Sequence, residues 1–161
     1  QARTRRLAAQ PFSCNKGKKY KMIKHQPLPS NIYELIEEAG HYLASRGDIA
    51  FAYLFGSLAR GRAFPLSDVD IAVYLEKETA LTTSKMELLG DLIDILHTDE
   101  IDLVILNQAS VSLIKRILSG KKVIADRNPF LRQKFESVMM RLGFDFSFVE
   151  KRILERRYMC G

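Results

Sequence analysis

Residues 54–75 read LFGSLARGRAFPLSDVDIAVYL, and this stretch decides the fold. It continues an apolar run, breaks at Gly56-Ser57, and resumes as an acidic and then apolar run. The pattern predicts two β-strands, at 49–55 and 68–75, which a polar turn and linker connect. Because the first strand is apolar throughout, we expect a central strand that is buried on both faces.

The break at Gly56-Ser57 suits a phosphate group. Glycine lets the backbone approach an anion closely or adopt a positive φ, and serine offers both its N–H and its hydroxyl at the start of a short helix over residues 58–60. We therefore predict that Gly56 and Ser57 bind phosphate. Arg60 and Arg62 follow closely and are either additional phosphate contacts or ordinary surface arginines.

Two acidic residues, Asp68 and Asp70, open the second predicted strand. Alternate residues of a strand point to the same face, so the two carboxylates should lie side by side, roughly 6–7 Å apart at the backbone. Mg²⁺ usually binds through one or two carboxylates together with substrate phosphates. An isolated Asp-x-Asp is more often a solvated turn, but here it follows Gly56-Ser57 after ten residues, in the strand, turn and strand context that the chemistry requires.

A third acid, Asp102, stands alone among the apolar residues of a predicted strand at 101–106. A charge in such a strand is costly unless it has a partner or a metal. If this strand lies beside the second one, Asp102 completes a set of three carboxylates with Asp68 and Asp70. The alternative is a residue at the end of a strand that faces water.

Apolar residues recur at helical spacing in four segments, over residues 31–47, 84–97, 111–118 and 130–159. Asn31 with Glu34, and Ser84 with Glu87, have the spacing of capping boxes at the starts of the first two helices. The second helix should bury one stripe, formed by Met86, Leu89, Ile93 and Leu96. A short edge strand is predicted at 121–125.

The C-terminal helical segment contains Gly143-Phe144-Asp145-Phe146, where we expect a bend or a division into two helices. The segment is rich in Phe, Met and Leu. This composition predicts either a surface for another chain or packing on the core.

The net charge of +6 is concentrated at the start of the chain. Residues 1–25 hold eight Lys and Arg and no acid, which leaves 17 basic against 19 acidic residues in the remainder. A slightly acidic body argues against a general nucleic-acid-binding surface. We expect a basic leader over 1–26, flexible or added to the native chain, with an RNA-attracting arm as the alternative. A single domain over 27–126 and a C-terminal helical segment over 127–161, which packs on the domain or on a partner, should follow.

The two cysteines, Cys14 and Cys160, lie at opposite ends of the chain and lack the spacing of metal ligands. No apolar run approaches the length of a membrane span. The sequence therefore predicts a cytoplasmic protein with free thiols and no membrane partner.

Three blocks of the sequence resemble the minimal nucleotidyltransferases (MNT) of the DNA polymerase β superfamily. The blocks are FGSLARG at 55–61, SDVDIAV at 67–73 and IDLVILN at 101–107. The resemblance covers roughly residues 30–126. Many relatives carry Arg after Gly-Ser, where this chain has Leu58, and this departure concerns one possible phosphate contact of the family and not the metal pair.

The resemblance implies a small mixed α/β sheet with helices mainly on one face and the acids at one edge of the strands. It also implies Mg²⁺ at Asp68, Asp70 and Asp102, with Asp102 as a ligand or as the base that takes the acceptor's proton. ATP would be the nucleotide donor. Its β- and γ-phosphates would lie on Gly56 and Ser57.

For the acceptor, the resemblance points to stand-alone members that act as antitoxins. These members bind a HEPN-domain ribonuclease and transfer AMP from ATP to a tyrosine hydroxyl of it. Two alternatives remain open: a non-catalytic module that neutralises its partner by complex formation alone, and a nucleotidyltransferase for a small molecule such as an aminoglycoside. Homo-oligomerisation also remains open.

Overall fold

The computed structural model describes residues 27–62, 67–76 and 81–158, which form a four-stranded sheet with helices packed on it. The predicted leader over 1–26 and both cysteines lie outside these residues. In chain order the elements are α1 (Ile32–Ser45), β1 (Ile49–Phe55), α2 (Gly56–Ala59), β2 (Val69–Leu75), α3 (Leu81–Leu96), β3 (Ile101–Ile105), α4 (Val111–Leu118), β4 (Lys122–Asp126) and α5 (Pro129–Tyr158).

The sheet has the strand order β3-β2-β1-β4. β1 pairs antiparallel with both β2 and β4, whereas β2 and β3 are parallel and are joined through α3. All seven residues of β1 are buried, which confirms the prediction of a central strand. The sheet is mixed, and the predicted α/β class is confirmed.

Helices cover both faces of the sheet. Leu54 of β1 packs in a cluster with residues of α1 and α3, whereas Tyr53 packs on the opposite face with residues of α4 and α5. The helices are thus divided between the two faces of the sheet. This corrects the expectation that they lie mainly on one face. The reason is the apolar β1 itself, because a strand with two buried faces needs cover on both sides.

The α1 helix begins after Asn31, as predicted, but the capping box does not form. The Asn31 side chain makes no cap hydrogen bond, and its backbone carbonyl accepts from the N–H groups of Glu34 and Leu35 instead. Within α1, Gly40 lies directly against the backbone of β4, since a methyl group there would be 2.5 Å from the carbonyl oxygen of Ile124. This glycine allows the close packing of α1 on the sheet edge.

The α3 helix starts at Leu81, so the predicted start and capping box at Ser84 are wrong. Its buried stripe also differs from the prediction, because Leu88, Leu92 and Leu96 face the core whereas Met86 is 66% exposed. Two apolar stripes compete in this sequence. Packing against the sheet selects the one with four-residue spacing.

The α5 helix is continuous over its 30 residues, and the predicted division near Gly143 is wrong. Gly143 is buried inside the helix against α4, where a methyl group would lie 3.2 Å from the Lys115 side chain. The glycine therefore serves close helix packing and does not end the helix. At the start of α5 the Asn128 side chain accepts from the N–H of Leu131, and Pro129 occupies the first turn.

Candidate active site

The residues that the sequence singled out lie together at one end of the sheet. Phe55, the last residue of β1, pairs with Asp70, and Asp70 pairs in turn with Asp102 across the parallel strands. Gly56 and Ser57 follow directly after Phe55. The register therefore brings the predicted phosphate turn and two of the predicted acids to neighbouring positions on one edge.

Gly56 and Asp70 are in direct contact. Gly56 has a φ of +74°, which L side chains rarely adopt. A methyl group on its Cα would lie 1.9 Å from Asp70 Oδ2 and 2.7 Å from Asp70 Cγ. Only glycine fits here, and its missing side chain is what allows the Asp70 carboxylate to lie over the turn.

The turn after Gly56 wraps around the carbonyl oxygen of Ser57. This oxygen accepts from the N–H of Arg60 at 3.1 Å and from the N–H of Arg62 at 3.0 Å, and Gly61 has a φ of +70°. Both arginines are exposed, while Ser57 is partly buried. The Arg60 guanidinium lies against the turn between α4 and β4, where a methyl group on Gly120 would be 3.1 Å from Nε.

The three predicted acids differ in exposure. Asp68 and Asp70 are partly buried, whereas Asp102 is exposed. Across residues 27–62, 67–76 and 81–158 no group of three or more His, Cys, Asp or Glu side chains is placed to hold a metal ion. The backbone thus brings acids to one edge, but their side chains are not gathered into a preformed three-ligand site. Their donor chemistry nevertheless suits Mg²⁺, because carboxylates are the hard oxygen ligands that this ion prefers.

A polar cluster behind the edge was missed by the sequence analysis. The hydroxyl of Tyr53 in β1 donates to Glu136 Oε1 of α5 at 2.7 Å. Glu136 also pairs with Lys121 and Arg132, and the Lys121 ammonium lies 4.9 Å from the centroid of the Tyr53 ring. A tyrosine in a buried strand is the signal that could have predicted this cluster, since its hydroxyl needs a partner.

The cluster shifts two acid–base equilibria. Burial raises the pKa of Tyr53 above its ordinary value, and the hydrogen bond to Glu136 raises it further. Burial also opposes ionisation of Glu136, but hydrogen bonds from Lys121, Tyr53 and Arg132 outweigh it and lower the pKa of this carboxyl. Glu136 is therefore ionised near neutral pH, and the cluster is held together by charge.

Asn107 lies at the end of the β2–β3 pair that is opposite the candidate active site. Its side-chain amide accepts from the N–H of Leu75 at 2.9 Å and donates to the carbonyl of the same residue at 3.0 Å. The side chain thus extends the β2–β3 ladder after the backbone of β3 has turned away. This bond pair helps to hold the register that places Asp102 beside Asp70.

Comparison with known protein families defines the class. Residues 37–130 match the family described as Polymerase beta, Nucleotidyltransferase. The match covers more than half of the chain, and it includes the Gly56 turn and all three acids. The chain belongs to this nucleotidyltransferase family, as its resemblance predicted. A comparison with curated proteins finds no match to this sequence.

Three solved structures with a similar fold come from toxin–antitoxin complexes. A chain of a toxin–antitoxin crystal structure with AMP-PNP has a TM-score of 0.63 at 24% identity, over 76% of this chain and 98% of that one. A chain of a tri-AMPylated Shewanella oneidensis HEPN toxin in complex with its MNT antitoxin gives 0.59 at 23%, over 78% and 98%. A chain of the toxin–antitoxin MntA–HepT gives 0.58 at 23%, over 78% and 98%. These similarities establish a shared fold.

The described residues contain no helix that combines the length and the apolar character needed to cross a membrane.

Proposed function

We propose that this nucleotidyltransferase transfers AMP from ATP to a tyrosine hydroxyl of a HEPN-domain partner and so acts as an antitoxin. The observation that carries the proposal is the register of the sheet edge, where Asp70 lies between the Gly56 turn on one side and Asp102 on the other. The similar chains from complexes with AMP-PNP and with a tri-AMPylated HEPN toxin support the nucleotide and the acceptor.

The reaction is a displacement at the α-phosphate. The tyrosine oxygen forms a bond to the α-phosphorus, the bond to the bridging oxygen breaks, and pyrophosphate leaves with the electron pair. Asp102 accepts the tyrosine proton in this scheme; in the alternative, Asp102 completes the ligand set and the proton passes to water. Gly56 and Ser57 bind the β- and γ-phosphates through their N–H groups and the serine hydroxyl.

Asp68 and Asp70, with Asp102, are the residues that would hold Mg²⁺. The ion, when bound, supplies positive charge against the phosphoryl oxygens and the leaving pyrophosphate. Phosphate oxygens of ATP would provide further ligands, because Mg²⁺ rarely relies on protein ligands alone. A set of acids that does not complete a metal site by itself fits such a shared site.

Arg60 and Arg62 are proposed as supporting phosphate contacts. Their backbone N–H groups both bind the Ser57 carbonyl, so they are fixed close to the phosphate turn. Arg60 also lies against Gly120 in the turn before β4, and β4 neighbours β1 on the side away from the acids. A triphosphate that extends from the acids across the turn would end near this arginine.

The test is the intact mass of the protein encoded by the neighbouring gene, after incubation with the chain, ATP and Mg²⁺. Each transferred AMP adds about 329 Da to the acceptor as a covalent modification. We expect one or more additions with the wild-type chain and none with the Asp68→Asn/Asp70→Asn variant. Absence of any addition with the wild-type chain would overturn the proposal.

The same experiment separates the alternatives. If the partner is neutralised by complex formation alone, Asp70→Asn still neutralises it and the partner keeps its original mass. If the acceptor is a small molecule, the mass increase appears on a candidate aminoglycoside and not on the protein.

A further inference from the structure

The residues of the candidate active site lie in a fixed order across the sheet. Gly56 follows the end of β1, Asp70 lies on β2, and Asp102 lies on β3. Among the described strands β3 is at the edge of the sheet. Neighbouring strands are about 4.8 Å apart, so this row of residues is about 10 Å long. The phosphate turn and Asp102 are at its two ends, with Asp70 between them.

This order sets the direction from which an acceptor approaches. In phosphoryl transfer the attacking and leaving oxygens are roughly in line, on opposite sides of the phosphorus. If pyrophosphate leaves over Gly56 and Ser57, the acceptor oxygen approaches from the side of Asp102. In the described part of the chain no further strand lies beyond β3 on that side. The segment that carries the acceptor then lies beside the outer edge of β3.

A groove runs along this outer edge. It has a volume of about 240 Å³ and is lined by β3, by Lys85 of α3, by Ala109 just before α4 and by Leu113 within α4. Asp102 also belongs to its lining. The groove, which we call the β3 groove, is therefore continuous with the candidate active site.

The backbone of β3 faces the groove with groups that suit a further strand. The carbonyl of Glu100 accepts from the N–H of Val69 at 2.9 Å, so it faces β2. Backbone groups of successive residues alternate between the two sides of a strand, so those of Val104 also face β2. Those of Leu103 and Ile105 face the groove. An edge of this kind is a template for pairing with another segment of chain.

The side of the groove next to α4 is apolar and shares a face of the sheet with Asp102. Val104 packs with residues of α4 and α5, on the face opposite Leu103. Asp102 is two positions before Val104 and so points to the same face, about 7 Å away along the strand. Ala109 and Leu113 pack on this face as well. We call Val104, Ala109 and Leu113 the apolar patch.

We propose that the β3 groove binds the acceptor-bearing segment of the partner protein as an added, extended strand, with the acceptor tyrosine on the apolar patch. This proposal rests on the proposed function and says where its acceptor binds. The segment pairs with the outward backbone groups of Leu103 and Ile105. A tyrosine in register with Val104 reaches back along the strand, and its hydroxyl meets Asp102.

The two contacts have different roles. Pairing of the backbones supplies affinity that is independent of sequence, whereas a pocket for one side chain supplies specificity. The apolar patch holds an aromatic ring and offers nothing comparable to the short side chain of serine or threonine. A permanent occupant of the groove, such as a second copy of this chain, would cover Asp102 and keep the acceptor out.

The first test measures amide hydrogen exchange by NMR in the full chain, before and after addition of the protein encoded by the neighbouring gene. We expect the N–H groups of Leu103 and Ile105 to exchange at least about 10-fold more slowly after the addition, because pairing with an added strand removes them from water. The N–H of Val104 is the internal control, since it faces β2 with or without the partner.

Two results of this test would overturn the proposal. One is unchanged exchange at Leu103 and Ile105 after the addition. The other is slow exchange of both groups in the chain alone. Slow exchange that rises with concentration would assign the edge to a second copy, and slow exchange independent of concentration would assign it to another part of this chain.

The second test fills the apolar patch with a larger side chain. Ala109→Phe should lower kcat/KM for AMP transfer to the same protein by at least about 30-fold, with the affinity for ATP and Mg²⁺ unchanged in calorimetry. Ala44→Phe is the matched control, because Ala44 is also partly buried but lies on α1, away from the groove. An unchanged kcat/KM in Ala109→Phe would overturn the proposal. If this variant does not fold by circular dichroism, Leu113→Gln replaces it, since it makes the patch polar.

The docking proposal and the proposed function fail separately. Slowed exchange at Leu103 and Ile105 without any adenylate on the added protein keeps the docking site and refutes the transferase. Adenylate transfer without slowed exchange keeps the transferase and refutes the docking site.

Discussion

The Asp70 carboxylate lies over the Cα of Gly56, in the space that a side chain at residue 56 would occupy. The contact joins the predicted phosphate turn to the predicted metal ligands, which are separated by fourteen positions in the chain. Each residue constrains the other, because the glycine leaves room for the carboxylate and the carboxylate excludes any larger residue. The spacing of the two motifs along the chain therefore reflects a single packed unit.

Replacing Gly56 by Ala should disrupt this unit. The methyl group would displace the Asp70 carboxylate, and the positive φ adds backbone strain of about 1–3 kcal/mol. We expect a loss of transfer activity on the order of 100-fold, since a small misplacement of a catalytic group has such effects. Gly61→Ala is the control, because its φ of +70° is similar but its methyl group would contact nothing within 4 Å. Equal losses of activity in both variants would show that strain, and not contact with Asp70, is responsible.

Asp102→Asn should separate a catalytic acid from one that merely faces water. Asp102 is exposed, so its replacement should change the free energy of unfolding by less than about 0.5 kcal/mol. Transfer of AMP should fall by a factor on the order of 10²–10⁴ if the carboxylate takes the acceptor's proton. Rates of adenylate transfer and denaturant unfolding curves provide the two measurements. Unchanged AMP transfer at an unchanged free energy of unfolding would show that Asp102 has no catalytic role and merely faces water.

The end of the sheet that carries Gly56 and the acids could be predicted from sequence, because the sequence patterns that indicate it are local. The strand pattern and the Gly56 break place β1 correctly, with the same bounds in structure as in sequence. The sequence left open whether the strand of Asp102 lies beside that of Asp70, and the structure shows that the two strands pair in parallel, which a helical connection between them allows. For these residues, periodicity and turn chemistry agree.

The predictions that failed depend on contacts that are distant in sequence. Met86 has the right helical spacing to be buried, but packing on the sheet favours Leu88. Gly143 has the composition of a helix end, but Lys115 of another helix packs over it. The partner of Tyr53 is 83 positions away. No local pattern contains that information.

Two glycines within helices should respond to alanine with opposite signs. Gly40→Ala places a methyl group 2.5 Å from the carbonyl oxygen of Ile124, and we expect a destabilisation of about 1–3 kcal/mol because α1 must move off β4. Gly90→Ala in α3 meets nothing within 4 Å and should stabilise by roughly 0.5–1 kcal/mol through helix propensity. Chemical denaturation measures both, and a stabilised Gly40→Ala would contradict the close packing of α1 on the sheet.

The lowered pKa of Glu136 predicts how the free energy of unfolding depends on pH. Its pKa in the folded chain is below the ordinary value of 4.5, because the hydrogen bonds from Lys121, Tyr53 and Arg132 outweigh burial. A lowered pKa means that the stabilisation is fully present above pH 4.5 and is lost as the pH falls through the folded pKa. The cluster ties β1 to α5, so its loss would loosen the packing of α5 on the sheet.

Glu136→Gln tests this directly. The glutamine can still accept from Tyr53, but it loses the charge that pairs with Lys121 and Arg132. We expect a destabilisation of roughly 2 kcal/mol at pH 7, the range for hydrogen bonds to charged groups. The difference from wild type should shrink as the pH falls below 4.5, because wild-type Glu136 then becomes neutral as well. Urea unfolding at a series of pH values checks both parts, and a difference that is the same at pH 7 and pH 3 would show that shape, and not charge, holds the cluster together.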